Sequence, residues 1–553
     1  MPSHQPRVAK FTLLLLGLLL ILPACGPLAS AGPVARLAAT GSPTAANLKA
    51  ADQVFTLIGS VDDPPTLDPA LASDSTSAEL IRHLFSGLVR LDDTLAVVPD
   101  LAAALPELSA DGRTYTFHLR PGVRWPDGRA VTADDVRYSL ERATDPALAA
   151  PQPGTSLPAG LYLNDIVGVP ERLAGAPGPL KGVNVLAPDT IALTISTPRA
   201  YFLQKLVTFY VVDQRNVEAG GREWYRHPQG TGPFRLQDWR SGDRITLVPN
   251  PTYYGGAPHL RQVNFLLGEA ATGGLVQYEQ GLIDFVGVPA DDVDRVQDPA
   301  GPLHGELHIT PGLSTTYLGF NMNKPPFDDP KVREAFSLVV NRDKIARVMF
   351  NGRVEQAAGI VPTALPGYLP AVTVPAPNIA RARQLLAESR YHGASGLPRI
   401  AVYSNGGDIG PMLQQVFKDA LGVEIEVRVQ DWAEYLAGLH RGDYQAFISG
   451  WEADWPEPSN FLEALFRSTS PENETGLRDP EVDSTLDRAA ATPDPAPRYA
   501  LYAAAEQRAL AATPLVPLFH SVNYELLRSY VHGVTITPLG ILNLKDAYID
   551  RGH

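Results

Sequence analysis

Residues 449–461 read SGWEADWPEPSNF. Trp451 and Trp455 flank Asp454, and Pro456 and Pro458 keep the stretch out of a regular helix. Tryptophan favours burial, whereas an ionised carboxylate resists it. An acid set between two indoles therefore has two readings. In one, the indoles pack inward and Asp454 faces water, as acids in loops usually do. In the other, Asp454 lines a cleft and awaits a cationic partner. Aromatic walls lower the local dielectric, so a carboxylate there gains strongly from an ammonium and is costly without one. The chemistry on offer is recognition of positive charge.

Other combinations offer less. His304 and His308 lie in an alternating stretch, HGELH, that predicts a strand; on a strand they share a face with Cα atoms roughly 13 Å apart, too far to share one ion. Gly230-Thr231-Gly232 lacks the third glycine of a dinucleotide loop and reads as a turn. There is no G-x-S-x-G elbow, Walker loop, H-E-x-x-H or pair of cysteines for zinc. No carboxylate pair declares itself as an acid/base couple. Nothing specific supports an enzyme, a metal or a cofactor. The formal charge of -14 and the lack of a Lys/Arg run argue against a nucleic-acid partner.

These residues must be positioned by a large scaffold. At about 100–200 residues per domain, 553 residues predict three domains or one large composite. With 44% hydrophobic and 19% charged residues, the balance is that of an ordinary globular protein, and 51 prolines point to many fixed loops. A strand is predicted from Gln53 to Ile58 and a helix from Glu79 to Leu88. Thr114–Leu119 alternates as a strand, and Thr132-Ala133-Asp134-Asp135 opens a helix that ends at Asp145-Pro146. A strand pair follows at 183–186 and 190–195. Asp329-Pro330 starts another helix, with a capping acid and proline at its first position. Ile400–Tyr403, Pro411–Leu421 and Val423–Val429 make a β-α-β unit whose first connection, Ser404 to Gly410, is polar and Gly-rich. The order predicts α/β lobes rather than one uniform sheet.

The N-terminus carries a different message. Arg7 and Lys10 precede the apolar run Phe11–Leu22, which is short of the roughly 20 residues that span a bilayer and reads as a secretory signal over residues 1–24. Leu22-Pro23-Ala24-Cys25 resembles a bacterial lipobox, in which the cysteine is lipidated and becomes the mature N-terminus. Cys25 is the only thiol, so no intramolecular disulfide can form. Residues 26 to about 50 are rich in Ala, Gly, Ser and Pro and read as a flexible tether. The expected location is extracytoplasmic, tied to a membrane by lipid.

A series of blocks then appears in order: Thr66-Leu67-Asp68-Pro69 with Leu84-Phe85-Ser86-Gly87-Leu88, and Leu119–Gly128 (LRPGVRWPDG). Later come Gly230-Thr231-Gly232-Pro233-Phe234, Asn250–Gly256 (NPTYYGG), and Leu318-Gly319-Phe320-Asn321 with Pro325-Pro326-Phe327-Asp328. Together they resemble the bacterial extracellular solute-binding proteins of family 5, the oligopeptide- and dipeptide-binding type that feed ABC importers. The resemblance implies an α/β, two-lobed, periplasmic-binding-protein-like clamshell (type II, cluster C-like) with an extra inserted subdomain. Lobe I would comprise 51–90, 200–318 and 517–553, the insert 91–199, and lobe II 319–516. It also implies that Asp454, in a Trp-x-x-Asp segment matched by Trp451-Glu452-Ala453-Asp454, pairs with the α-ammonium of a peptide. Backbone groups near Gly450 and Trp451 would meet its main chain, with Trp455, Tyr403 and Asn405 as further candidate contacts. Related members import nickel complexes, opines or sugars, so such solutes stay open as alternatives, as does a sensor or secreted hydrolase. The implied partners are a short peptide and the membrane subunits of a permease, with the receptor itself a monomer. For a ligand carboxylate, Arg82, Arg137 and Arg399 are available.

Overall fold

The computed structural model describes residues 53–552, apart from residue 61 and residues 150–156. The predicted signal segment, Cys25 and the tether lie outside the described residues. The described residues all fall within one unit, Thr40–His553.

The first strand, β1 (Val54–Ser60), buries alternate residues, Phe55 and Leu57, as a half-covered strand should. Helix α1 spans Ser75–Leu84, not Glu79–Leu88. Asp74 caps it, its carboxylate accepting from the Ser77 amide at 2.8 Å. The helix stops because Phe85 turns extended (φ -123°, ψ 161°). Phe85 and Leu88 are still buried, but from an extended segment, so their helical spacing misled. The loop Gly230–Phe234 packs directly on this helix end. A Cβ at Gly230 would overlap the Leu84 carbonyl, and one at Gly232 would crowd the His83 carbonyl, so the glycines serve close backbone approach.

The insert builds its own four-stranded antiparallel sheet from Glu107–Leu108, Thr114–His118, Thr190–Thr194 and Val183–Ala187. The helix Ala133–Ala143 belongs to the same layer, its start fixed as its sequence predicts: Asp135 accepts from the Thr132 amide at 2.8 Å and hydroxyl at 3.0 Å. Phe117, Trp125, Val136, Leu140, Ile191 and Leu193 form its core. A one-turn helix, α2 (Ala159–Tyr162), buries Ala159 in this core and packs Tyr162 against it.

Strands from both lobes join in one mixed sheet of eleven strands rather than in separate sheets. Two long strands bridge them: β2 (Leu307–Phe320) and, far along the chain, Leu515–Leu527, paired antiparallel. Their pairing breaks register between Pro311 and Thr315. The expected lobe boundaries at 318/319 and 516/517 fall inside these two strands. The stretch from His304 is also not a strand throughout: His304–Glu306 is a 3₁₀ turn and only Leu307 onward is extended, so His304 and His308 do not alternate along one strand. On the far side lies the predicted β-α-β unit, β3 (Ile400–Ser404), the helix Ile409–Leu421 and Ile425–Val429, with the strands parallel. The helix Pro330–Ser337 starts where predicted, Asp329 accepting from the Lys331 amide at 2.9 Å. It sends Phe336 into a cluster with Phe320, Phe327 and Phe417.

Candidate functional site

The site grows from the end of strand β4 (Ala446–Glu452). This strand lies between β2 and β3. Its pairing with β2 runs its whole length, from Phe320↔Ala446 to Ser314↔Glu452, whereas its pairing with β3 ends at Tyr403↔Phe447. One edge of residues 448–452 is therefore not covered by β3. The ladder's parity says which groups face that edge. The Ala453 amide donates to the Leu313 carbonyl, so odd-numbered residues, Trp451 among them, bond to β2, and the backbone groups of Ile448, Gly450 and Glu452 point the other way. The Ile448 carbonyl confirms the parity by accepting from the Tyr435 hydroxyl at 2.8 Å. Gly450 is exposed and carries no side chain to shield its backbone. Of the two residues predicted to offer main-chain groups, Gly450 is the one that presents them outward; those of Trp451 are turned to β2.

The turn that follows is held from below. Glu457 is fully buried and pairs with the buried Arg498 at 2.9 Å, while its other oxygen accepts from the Ser459 amide at 3.0 Å. Trp455 is buried, its indole N–H donating to Ser459 Oγ at 3.2 Å and its ring meeting Tyr162 edge-on at 6.3 Å. Asn460, buried in the first turn of the helix Ser459–Phe466, ties the motif together. Its Oδ1 accepts from Trp451 Nε1 at 2.8 Å and from the Asp454 amide at 3.4 Å, and its Nδ2 donates to Asp454 Oδ2 at 3.3 Å. The other Asp454 oxygen accepts from the Tyr162 hydroxyl at 3.0 Å, reaching across from α2 of the insert.

Both donors to Asp454 are neutral, and no described basic side chain makes an ion pair with it. Burial pushes its carboxyl above the usual aspartate range, opposed by the Asn460 and Tyr162 hydrogen bonds and by the field of Arg82. Glu452 is open to solvent yet walled by protein. Desolvation and the neighbouring Asp454 raise it too, and Arg82 again opposes. Among the described residues, neither carboxylate makes an ion pair, and the positive field that reaches both is that of Arg82.

The residues expected at the site divide. Asp454, Trp451, Gly450 and Trp455 come together in β4 and its turn. Asn405 is exposed in the bend where β3 leaves the edge of β4. The Tyr403 ring goes elsewhere: it stacks on Tyr444 at 4.0 Å, and its hydroxyl accepts from Arg428 at 2.9 Å. Asn460 and Tyr162 were not anticipated. An asparagine at a helix start reads as a cap, and a tyrosine nearly 300 residues upstream in a one-turn helix has no periodic signature. Among the described residues, one group of three side chains could hold a metal: His440, Glu472 and Glu474, with donor atoms within 4.8 Å of one another. Burial and Glu472 push the Glu474 carboxyl up to about 8, so a metal there must first displace a proton.

Residues 96–473 match the family described as bacterial extracellular solute-binding proteins, family 5 Middle. The chain belongs to this family. Its curated relatives include the "Probable deoxycholate-binding periplasmic protein YgiS" of Escherichia coli, 31% identical over 522 residues, covering 91% of this chain and 95% of that one. The periplasmic oligopeptide-binding protein OppA of the same organism is 30% identical over 550 residues, covering 94% and 98%. Among solved structures, the E. coli murein tripeptide binding protein MppA superposes with a TM-score of 0.74 at 27% identity, over 90% of this chain and 98% of that one. The fold is accordingly the two-lobed α/β architecture of family 5 binding proteins. No described helix is long and apolar enough to cross a membrane.

Proposed function

We propose that this family 5 protein is the lipid-anchored extracytoplasmic receptor of an ABC importer, capturing short peptides between its lobes and handing them to a membrane permease. The observation that carries the reading is Asp454, a half-buried carboxylate bonded only to neutral donors beside an uncovered strand edge. A peptide's α-ammonium supplies the missing charge, and its main chain adds to the edge at Gly450, which gives affinity without demanding particular side chains. Asn405 stands beside that edge, and Trp451 and Trp455 shape the wall. Lobe I, the insert and lobe II close as rigid bodies about the two long bridging strands. Moving the open-closed balance from 1:99 to 99:1 takes about 5.5 kcal/mol of preferential binding to the closed form. The permease reads the closed form, so no bond in the guest changes. The lipid on Cys25 keeps the receptor at the membrane; two or more acyl chains suffice where one does not.

A second reading, a carboxylate-bearing amphipath, is favoured by the relative named for deoxycholate. Asp454 and Glu452 disfavour it, because an anion placed there meets two like charges. Native mass spectrometry of the tagless, membrane-extracted protein decides. Adducts with peptide masses that fragment into residue series support the proposal; a steroid acid, chelate or sugar in their place overturns it. Cys25→Ser should move the protein from the membrane fraction to the soluble one, and retention would contradict the anchor.

A further inference from the structure

His440, Glu472 and Glu474 bring an imidazole and two carboxylates together from two separate parts of lobe II, with one donor atom of each within 4.8 Å of the others. His440 is the last residue of the helix Trp432–His440 and is exposed. The glutamates are half-buried in the connection between the helices Ser459–Phe466 and Pro480–Ala490. His440 Nε2 stands 3.8 Å from Glu472 Oε2. Among the described residues, no lysine or arginine makes an ion pair with either glutamate. Nearby cations are used elsewhere: Arg441 pairs with Asp443 at 2.8 Å, and Arg467 with Glu463 at 2.6 Å and Asp487 at 3.0 Å.

The scaffold holds both parts in place. Asn473, between the two glutamates, donates to the carbonyls of Arg467 at 3.2 Å and Leu477 at 2.8 Å, and accepts from the Thr475 hydroxyl at 2.9 Å. The Met322 amide donates to the Thr475 carbonyl at 2.8 Å, and Asn321 Nδ2 donates to the Gly442 carbonyl at 3.2 Å, just past His440. Two consecutive residues beyond the end of β2 thus fasten the glutamate turn and the histidine helix to one another. Like charges gathered this closely repel unless a cation joins them. The donors of a tetrahedral zinc lie roughly 3.3 Å apart, so the imidazole and the carboxylates need only small side-chain rotations to share one ion.

We propose that His440, Glu472 and Glu474 bind a divalent first-row transition ion of the zinc type, clipping the end of the helix Trp432–His440 to the turn at 470–477. The mixed nitrogen and oxygen donors suit zinc, whereas calcium and magnesium take oxygen alone. Three protein donors leave a fourth position, which the exposed side of the site opens to water. The site lies apart from Asp454 and is independent of the guest.

The test is calorimetric titration of zinc chloride into the tagless full chain after treatment with a chelator, with melting followed in parallel. Wild type should take up zinc at this site and melt at a higher temperature with it. His440→Ala, at an exposed position, should melt like wild type in chelator, yet bind zinc at least tenfold more weakly and lose the zinc-induced rise in melting temperature. Glu474→Gln, which keeps the shape of the side chain, should do the same. Calcium or magnesium chloride should raise the melting temperature of neither wild type nor variants. Zinc binding and a melting rise that survive unchanged in both variants would place the ion elsewhere and overturn the inference, as would a wild type that takes up no zinc. A calcium response as strong as that to zinc would also overturn it, since the imidazole would then have no part.

Discussion

Asp454 and Glu457 sit three residues apart in one turn and have opposite fates. Glu457 is fully buried, yet it has Arg498 and the Ser459 amide as partners. Asp454 is more open, but its partners are a phenol and an amide. Burial raises both carboxyls; only Glu457 has a paired arginine to counter it. The first acid is complete within the chain and the second is not. A charge that folding leaves unpaired beside an open strand edge is a candidate for binding, whereas one that folding pairs with an arginine is a strut.

That contrast can be broken at the strut. Arg498→Met should cost about 3–5 kcal/mol of stability, because Glu457 is left as an uncompensated buried charge. Chemical denaturation measures it, and a loss under 1 kcal/mol would show that Asp454 and Glu457 are not different in kind. Asn460→Ala should cost about 1–3 kcal/mol and also weaken guest binding, since it frees both the Trp451 indole and one Asp454 oxygen. Tyr162→Phe should cost little stability and roughly tenfold in affinity or less. Its sharper signature is in pH. The ammonium pairs only with ionised Asp454, so affinity falls as pH drops through the raised carboxyl value. Removing the hydroxyl donor raises that value further, and the fall should begin at a higher pH.

A smaller effect tests a third kind of acid. Glu506 is buried, its donors among the described residues being the Ile360 and Val361 amides at 2.6 and 3.2 Å, and burial pushes it up to about 7. The proton then favours the folded state: the stabilisation is full below the ordinary glutamate range and is lost as pH rises through about 7. Glu506→Gln keeps the acceptor without the charge, so its melting temperature should gain on wild type between about pH 5 and about pH 8. A constant difference would contradict the assignment.

Much of the scaffold was legible because its signals are local. Thr132 with Asp135, and Asp329 with Pro330, mark helix starts by rules that operate within four residues. The β-α-β unit declared itself by apolar runs and a glycine-rich turn. Helix α1 was displaced because Phe85 and Leu88 keep helical spacing while the backbone between them extends. The single sheet through both lobes was illegible, since it depends on Leu307–Phe320 meeting Leu515–Leu527, about 200 residues apart. At the site, the tryptophans and the acid between them were visible as an incongruity of burial and charge. Asn460 and Tyr162 were not, because each is defined by what the fold brings near it. Tyr403 shows the converse: close in the sheet, its ring is spent on Tyr444 and Arg428.

The central claim is that Asp454 waits for an ammonium. It is tested most directly by titrating wild type and Asp454→Asn with one peptide in free-amine and N-acetylated forms. Wild type should favour the free amine by about 2–5 kcal/mol, and the variant should bind both forms alike while melting no lower than wild type. An unchanged preference in the variant, or a lowered melting temperature like that expected for Arg498→Met, would contradict the account.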